Sequence, residues 1–486
     1  MQSRRAMREN QSIWIDLTTS LQWTRPPVGI VRVEQECCRW MLAKLPDRVR
    51  ICMFDASTGR FLEVQVRDAL AVLNRNGRTP EPASFAPAAT AHTPSVPTMA
   101  AAPPSLVRRA ERLVRKATHA ALKILPQTYQ PMVRRYLIAA RRTLAYTYTE
   151  LKAAHAENSA IAAAPAAPQV EPPASPGRAL ATFQHGDSYL TMGLDWDQGN
   201  KLEALWREKN KSGLKVFSFA YDVIPVKFPT YYPEGKFDLF SNYFATMGWA
   251  ADEIICISQC TARDLSMFLL QVGAPQPPMS VLRLGDTLPV MDDDNPSFEV
   301  AEILKTPFLL AVSTIEIRKN HETLYRAYLR LLEAGFDVPK LVLVGMTGWR
   351  VDDFMYAIRT DPRIEGKIVV LNHASDADLA ALYKNCLFTL YPSLYEGWGL
   401  PVAESLAYGK FCLASSAASI PEIAGDILDY VDPWDVPNWV LKIQHYCSDP
   451  AALRVAEEDI TARYRTTSWE TTTDKLIAAI GSAASA

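Results

Sequence analysis

The sequence predicts an α/β protein of two doubly wound domains facing one another across a central cleft, with a helical insertion in the first. Three observations carry that expectation. Short β-branched runs alternate with longer stretches of helical period, the strand series breaks once at a polar stretch, and an Ala/Pro-rich segment interrupts the first half. Near-continuous apolar strands joined by helices point to parallel sheets covered on both faces.

In chain order, SIWID (12–16), SYLTM (188–192), LKVFSFA (214–220), EIICIS (253–258) and SVLRL (280–284) read as strands of the first domain. FLLAVS (308–313), KLVLVG (340–345), KIVVL (367–371), CLFTLYP (386–392), KFCLAS (410–415) and ILDYVD (427–432) read as strands of the second. Between the two series lies DTLPVMDDDNPSFEVAEILKT (286–306), polar enough to serve as an interdomain linker. The expected domains are residues 1–78 with 178–290, an insertion over 79–177, and residues 300–465. A C-terminal helix over 466–486 is expected to cross back to the first domain.

A chain of 486 residues suits two or three domains at roughly 100–200 residues each. The hydrophobic fraction, 48%, supplies an ordinary core, and a net charge of −2 argues against nucleic acid as a partner. No apolar run approaches the ~20 residues that span a bilayer, so no membrane span is expected. The basic N-terminus MQSRRAMRENQSIWIDL has no apolar segment behind it, so no secretory signal is expected either. Eight cysteines are scattered without a CxxC pair, which excludes zinc and thioredoxin-type chemistry and suggests buried thiols in a cytoplasmic protein.

The even charge balance hides an asymmetry. Residues 105–152 hold eleven basic and two acidic residues, a net +9, leaving −11 for the rest of the chain. Ala/Pro-rich stretches at 79–104 and 160–177 flank this segment and read as linkers. Between them, Leu106, Ala110, Leu113, Ala117, Ala120 and Ile124 form one helical stripe. Val133, Leu137, Ala140, Leu144, Tyr148 and Leu151 form a second, and Pro126 and Pro131 separate the two. The result is a helical hairpin with an Arg-rich face. That face suits either an anionic membrane surface or a solvated exterior packed on its own domain.

Ligands of doubly wound sheets bind beyond the carboxyl ends of the strands, and the chemistry of the second half falls there. No GxGxxG follows a strand and no GxxxxGK(S/T) occurs, so dinucleotide oxidoreductases and P-loop NTPases fit poorly. After CLFTLYP comes SLYEGWGLPVAESLAYGK (393–410), in which Gly397 and Gly399 make a loop and Leu400-Pro401-Val402 opens a helix. Such a helix start exposes backbone N–H groups and suits a phosphate. Glu396 and Glu404 flank it, and a carboxylate accepts hydrogen bonds from sugar or ribose hydroxyls. Phosphate with a carboxylate on each side describes a nucleotide-sugar. Arg318 and Lys319, after FLLAVS, would enter the same cleft and neutralise a departing diphosphate.

With these residues, the sequence resembles the family 4 retaining glycosyltransferases of the GT-B fold, over nearly all of the chain outside 79–177. The motifs are YEGWGLPVAE (395–404), ASIPEIAGD (418–426) and TIEIRKN (314–320), supported by LVLVG (341–345), VLNHASDADLAALY (370–383), CISQCTARDL (256–265), VLRLG (281–285) and YRTTSWETTTDKL (464–476). WIDLTTSLQWTRPPVGIVRVEQE (14–36), GDSYLTMGLDW (187–196) and YDVIPVKFP (221–229) resemble the bacterial polysaccharide mannosyltransferase branch.

The resemblance implies two Rossmann-like domains and transfer of a hexosyl group with retention, mannosyl from a GDP-sugar being favoured. The acceptor would be a hydroxyl of a cell-surface polysaccharide or lipid-linked saccharide. It implies that Glu396 contacts the donor sugar and Glu404 the ribose, while Gly397, Trp398, Gly399 and Leu400 meet the sugar and diphosphate. Arg318 and Lys319 would hold the diphosphate, Asn372 and His373 would lie near the base, and Gly29 would start the loop over the cleft. Where the family often has His before Asp, this chain has Tyr221-Asp222, leaving Asp222 as the acceptor-side group. The leaving phosphate can itself take the acceptor proton, and no metal or other cofactor is implied. The protein is expected in the cytoplasm, peripheral at the inner face of the plasma membrane if residues 105–152 bind lipid. Two rival readings are a nucleotide-sugar 2-epimerase of the same fold and a membrane-recruited scaffold without catalysis.

Overall fold

A computed structural model describes residues 11–24, 29–74, 178–287 and 296–483. The 79–177 insertion, with its basic hairpin, lies outside the described residues. The first sheet contains β1 (Ile13–Asp16), β2 (Val49–Asp55), β3 (Arg60–Val64), β4 (Ser188–Thr191), β5 (Lys215–Ala220), β6 (Glu253–Cys256) and β7 (Met279–Val281). Their order is β3-β2-β1-β4-β5-β6-β7, parallel except for the antiparallel β2–β3 pair. The second sheet contains β8 (Phe308–Val312), β9 (Lys340–Val344), β10 (Ile368–Leu371), β11 (Thr389–Tyr391), β12 (Cys412–Ser415) and β13 (Tyr430–Val431). It runs β10-β9-β8-β11-β12-β13 and is parallel throughout.

Central strands are buried along their length, as β1 and β4 show, which is why their sequences read as continuous apolar runs. The β2–β3 hairpin escapes the sequence reading for the opposite reason. Arg50, Arg60 and Glu63 are exposed or half-buried and interrupt the apolar residues of the pair, whose outer member, β3, is the edge strand of the sheet. A second correction concerns the expected linker over 286–306. Ser297 accepts the Val300 N–H and caps a short helix, Phe298–Ile303, inside that stretch. The strand expected at 280–284 ends at Val281, and that expected at 427–432 shrinks to Tyr430–Val431.

Each sheet reverses its winding once, between β1 and β4 in the first and between β8 and β11 in the second. Loops leaving those neighbouring strands diverge to opposite faces and open a crevice. The C-terminal helix, Trp469–Ala483, lies against Ile30–Lys44 of the first half. The chain approaching it is tied to the end of that half: Asp286 accepts from the Thr467 N–H at 2.8 Å and the Tyr464 hydroxyl at 2.7 Å. Among the described residues, no helix is long and apolar enough to cross a membrane.

Candidate active site

The second sheet's switch point gathers the charged residues. The turn Ile317–Lys319 follows β8, and the 392–399 loop follows β11. Glu396, buried in that loop, receives Arg318 Nη1 at 2.5 Å, Lys319 Nζ at 2.6 Å, the Tyr391 hydroxyl at 3.0 Å and the Ser393 hydroxyl at 2.5 Å. Arg318 also donates to Glu316 at 2.7 Å and to the Tyr395 carbonyl at 2.9 Å. Two cations therefore face two carboxylates. Burial pushes the Glu396 carboxyl up, but Arg318 and Lys319 outweigh it and hold it down at about 2. Burial, followed by the Arg318 charge, pulls the Lys319 ammonium below its ordinary value. Arg318 goes the other way: burial opposes its charge, but Glu396 and Glu316 more than compensate. The Arg318 Nε has no hydrogen-bond partner among the described residues.

The loop's glycines are dictated by contact. A Cβ on Gly397 would fall 1.9 Å from the Tyr221 carbonyl oxygen and 2.9 Å from Asp222 Cβ, so the first half's backbone can sit directly on the loop only at glycine. Gly399 takes φ 131° and turns the chain into the helix Leu400–Ala407, with Pro401 in its first turn. Ser419 Oγ shares a hydrogen bond between the carbonyls of Glu396 (2.9 Å) and Trp398 (3.0 Å), which fixes the loop. Trp398 is buried beneath the Arg283 guanidinium, 5.6 Å from its ring centroid.

Glu404, on the helix, lies in a separate network. Its carboxylate accepts from the Tyr383 hydroxyl at 3.0 Å and from Arg32 Nη1 at 3.2 Å, while Arg32 Nη2 reaches Asp376 at 2.8 Å. Burial raises the Glu404 carboxyl and Arg32 opposes the rise. Arg32 belongs to the helix Ile30–Lys44 that Gly29, at φ 52°, introduces. Asp222, on the first half, accepts the Ile224 N–H at 2.9 Å; burial raises its carboxyl and Arg318 lowers it. Asn372 and His373 are exposed beyond β10, where Thr347 approaches Asn372 at 3.4 Å.

The fold thus brings Arg318, Lys319, Glu396, Gly397 and Asp222 together, and sets Glu404 nearby under Arg32. It leaves Asn372 and His373 without a described contact to the Glu396 cluster. Sequence reasoning missed Arg32, although it lies three residues after Gly29 on the helix that begins there. It also missed Glu316, two residues before Arg318, because one more acid in TIEIRKN carries no distinguishing pattern. A further link between halves is Glu422, whose carboxylate accepts the Gln259 and Cys260 N–H groups at 2.7 and 2.8 Å. That carboxylate complements the exposed N–H groups opening the helix Gln259–Val272. Among the described residues, no cluster of His, Cys, Asp and Glu is disposed to hold a metal ion.

Comparison with known proteins accords with this arrangement. Residues 292–457 match the family described as Glycosyl transferases group 1. The chain is similar to O-antigen chain mannosyltransferase B of Escherichia coli, 34% identical over 171 residues, covering 35% of this chain and 44% of that protein. It is also similar to the serotype-specific mannosyltransferase WbdA of Escherichia coli, 29% identical over 195 residues, covering 38% of this chain and 24% of that one. The matched stretch thus spans less than half the length of either relative. The structure of Anabaena Alr3699/HepE in complex with UDP superposes with a TM-score of 0.52 at 13% identity, covering 97% of this chain and 100% of that one. At that identity the likeness speaks to the fold, which is GT-B.

Proposed function

We propose that this chain, a GT-B protein whose residues 292–457 are a group 1 glycosyl transferase domain, is a retaining glycosyltransferase that moves a mannosyl group from a GDP-sugar to a saccharide hydroxyl. One observation carries the reading. Arg318 and Lys319 converge on Glu396 where the second sheet reverses its winding, and Gly397 beside them meets the backbone of Tyr221-Asp222 from the other half. The mannosyl choice is drawn from the two Escherichia coli relatives.

In this mechanism, the diphosphate lies against Arg318, Lys319 and the start of the Leu400–Ala407 helix. The two cations turn from Glu396 toward the phosphate oxygens as charge grows there, doing the electrostatic task a metal performs elsewhere. Glu396 is ionised at neutral pH and takes hydrogen bonds from donor-sugar hydroxyls. Glu404 receives the ribose hydroxyls, sharing them with Arg32. Asp222 orients the acceptor hydroxyl on the same face, and its proton passes to the leaving phosphate oxygen. The C1–O bond to the diphosphate breaks, the bond from acceptor oxygen to C1 forms, and the configuration at C1 is kept.

A thermal-shift screen of GDP-, UDP- and ADP-sugars tests the donor, because a ligand that binds the native state raises its apparent stability. GDP-mannose should give the largest rise; no rise with any nucleotide would remove the proposal. Product analysis by NMR should show an α-linked mannoside formed only when acceptor is present and undiminished by EDTA. Activity lost to EDTA and restored by Mg²⁺ would overturn the metal-independent scheme.

A further inference from the structure

Beside Asp222, on the side of the first half, lies a cavity of about 320 Å³. Its walls include Trp196, Tyr232 and Trp349, with Asp197, Asp222 and Lys236 supplying the polar groups. We infer that this cavity holds the terminal pyranose of a neutral saccharide acceptor, and that Trp349, carried by the second half, positions that ring for transfer. The inference rests on the proposed transferase reading and deepens it by assigning the acceptor subsite.

The chemistry of the walls selects the ligand class. A pyranose has apolar faces of C–H groups and a rim of hydroxyls, so it needs aromatic planes above or below and hydrogen-bonding groups at the edge. Small-molecule pockets combine an apolar lining with a few placed polar groups in this way, at volumes of about 300–1,000 Å³. The lining offers carboxylate acceptors from Asp197 and Asp222 and an ammonium donor from Lys236, a mixed rim that suits the hydroxyls of a neutral sugar. Trp196 is held by Phe240 at 5.3 Å and by Tyr243 edge-on at 5.7 Å, so its plane is set before a ligand arrives.

Trp349 is the unusual member, because it comes from the other half of the molecule. Its loop is stitched to the segment that bears Arg318 and Lys319. Ile315 N–H donates to Met346 O at 2.8 Å, Gly348 N–H to Ile315 O at 2.8 Å, and Ile317 N–H to Trp349 O at 3.3 Å. Gly345 permits this, since a Cβ there would fall 2.0 Å from the Ser313 carbonyl oxygen. Arg350, at φ 59°, then reaches the Thr230 carbonyl of the first half at 2.5 Å. The loop that carries this wall of the acceptor cavity is therefore paired, backbone to backbone, with the segment that carries the proposed diphosphate cations. Although its side chain is 44% exposed, Trp349 has its backbone carbonyl held by Ile317 N–H, and its neighbour Arg350 is tied to Thr230 of the first half.

The test uses the full chain and methyl α-D-mannopyranoside as probe. In saturation-transfer NMR, wild-type protein should transfer magnetisation to the probe's ring protons without nucleotide, and Trp349→Ala should weaken the signal severalfold. With GDP-mannose as donor, Trp349→Ala should raise the acceptor KM about tenfold with kcat changed less than threefold, and Trp349→Phe should restore most of it. The thermal shift produced by GDP should be the same in all three proteins. An acceptor KM within twofold of wild type in Trp349→Ala, or absence of saturation transfer from wild-type protein to the probe, would overturn the inference. A failure of every nucleotide to bind would instead remove the transferase reading, and saturation transfer to the sugar in the absence of nucleotide would still decide the cavity.

Discussion

Both halves place a buried ionic cluster at the switch point of their sheet, and the two clusters differ in what surrounds them. In the first half, Lys201 Nζ lies 2.7 Å from Asp16 at the end of β1 and 2.7 Å from Asp195 after β4, with all three side chains at most 3% exposed. Tyr189 and Thr191 complete its hydrogen bonds. In the second half, Arg318, Lys319, Glu316 and Glu396 form the corresponding set, with both cations 12–13% exposed and the Arg318 Nε unpartnered among the described residues. Equivalent topology has thus given one sealed cluster and one that opens on the other half. A sealed cluster holds the fold, whereas an open one is available to a ligand.

The largest expected effect tests the sealed cluster. Lys201→Met leaves Asp16 and Asp195 facing each other without a cation, and breaking a buried pair in this way costs about 3–5 kcal/mol. Chemical denaturation should show that loss, while turnover per folded molecule changes less than tenfold. A variant of normal stability and abolished activity would dissolve the distinction between the clusters.

Arg318→Met probes the open one. Steady-state kinetics should show turnover reduced about 10²–10³-fold, the usual result of removing one charge-stabilising donor. Unchanged turnover would mean that the Glu396 cluster is as structural as the Asp16 cluster.

A third expectation sharpens the contrast through pH. Glu34 sits beside the sealed cluster, with Ser20 donating its backbone N–H at 2.7 Å, and burial raises its carboxyl from 4.5 to about 8. Between those values, the native state holds a proton that the unfolded chain has released, so Glu34 makes stability fall as pH rises from about 4.5 to 8. Glu34→Gln should flatten that slope and gain on wild type toward pH 8 in unfolding titrations. Glu396, held down at about 2, contributes the opposite slope only in acid, as pH falls from 4.5 toward 2.

The smallest effect concerns the loop. Ser419→Ala removes the hydrogen bond shared by the Glu396 and Trp398 carbonyls and should cost about 1 kcal/mol in unfolding free energy. A measurable rise in donor KM would accompany it if the loop's fixed shape serves the donor.

The sequence by itself determined the two strand series, the Glu396–Glu404 loop and helix, and the Arg318-Lys319 pair, because each is written in a short contiguous pattern. Period, glycine placement and strand-end position are local properties, and local physics reads them directly. The β2–β3 hairpin was illegible because Arg50, Asp55, Arg60 and Glu63 break its apolar residues into pieces shorter than the continuous run of a fully buried strand. Only the tertiary structure decided that Arg32 would bridge Glu404 and Asp376, that Tyr221 would rest on Gly397, and that Trp349 would wall a cavity of the opposite half. Those contacts join residues 105 to 372 positions apart in the chain and between two folded halves. Their formation depends on how the halves meet, which no periodicity encodes.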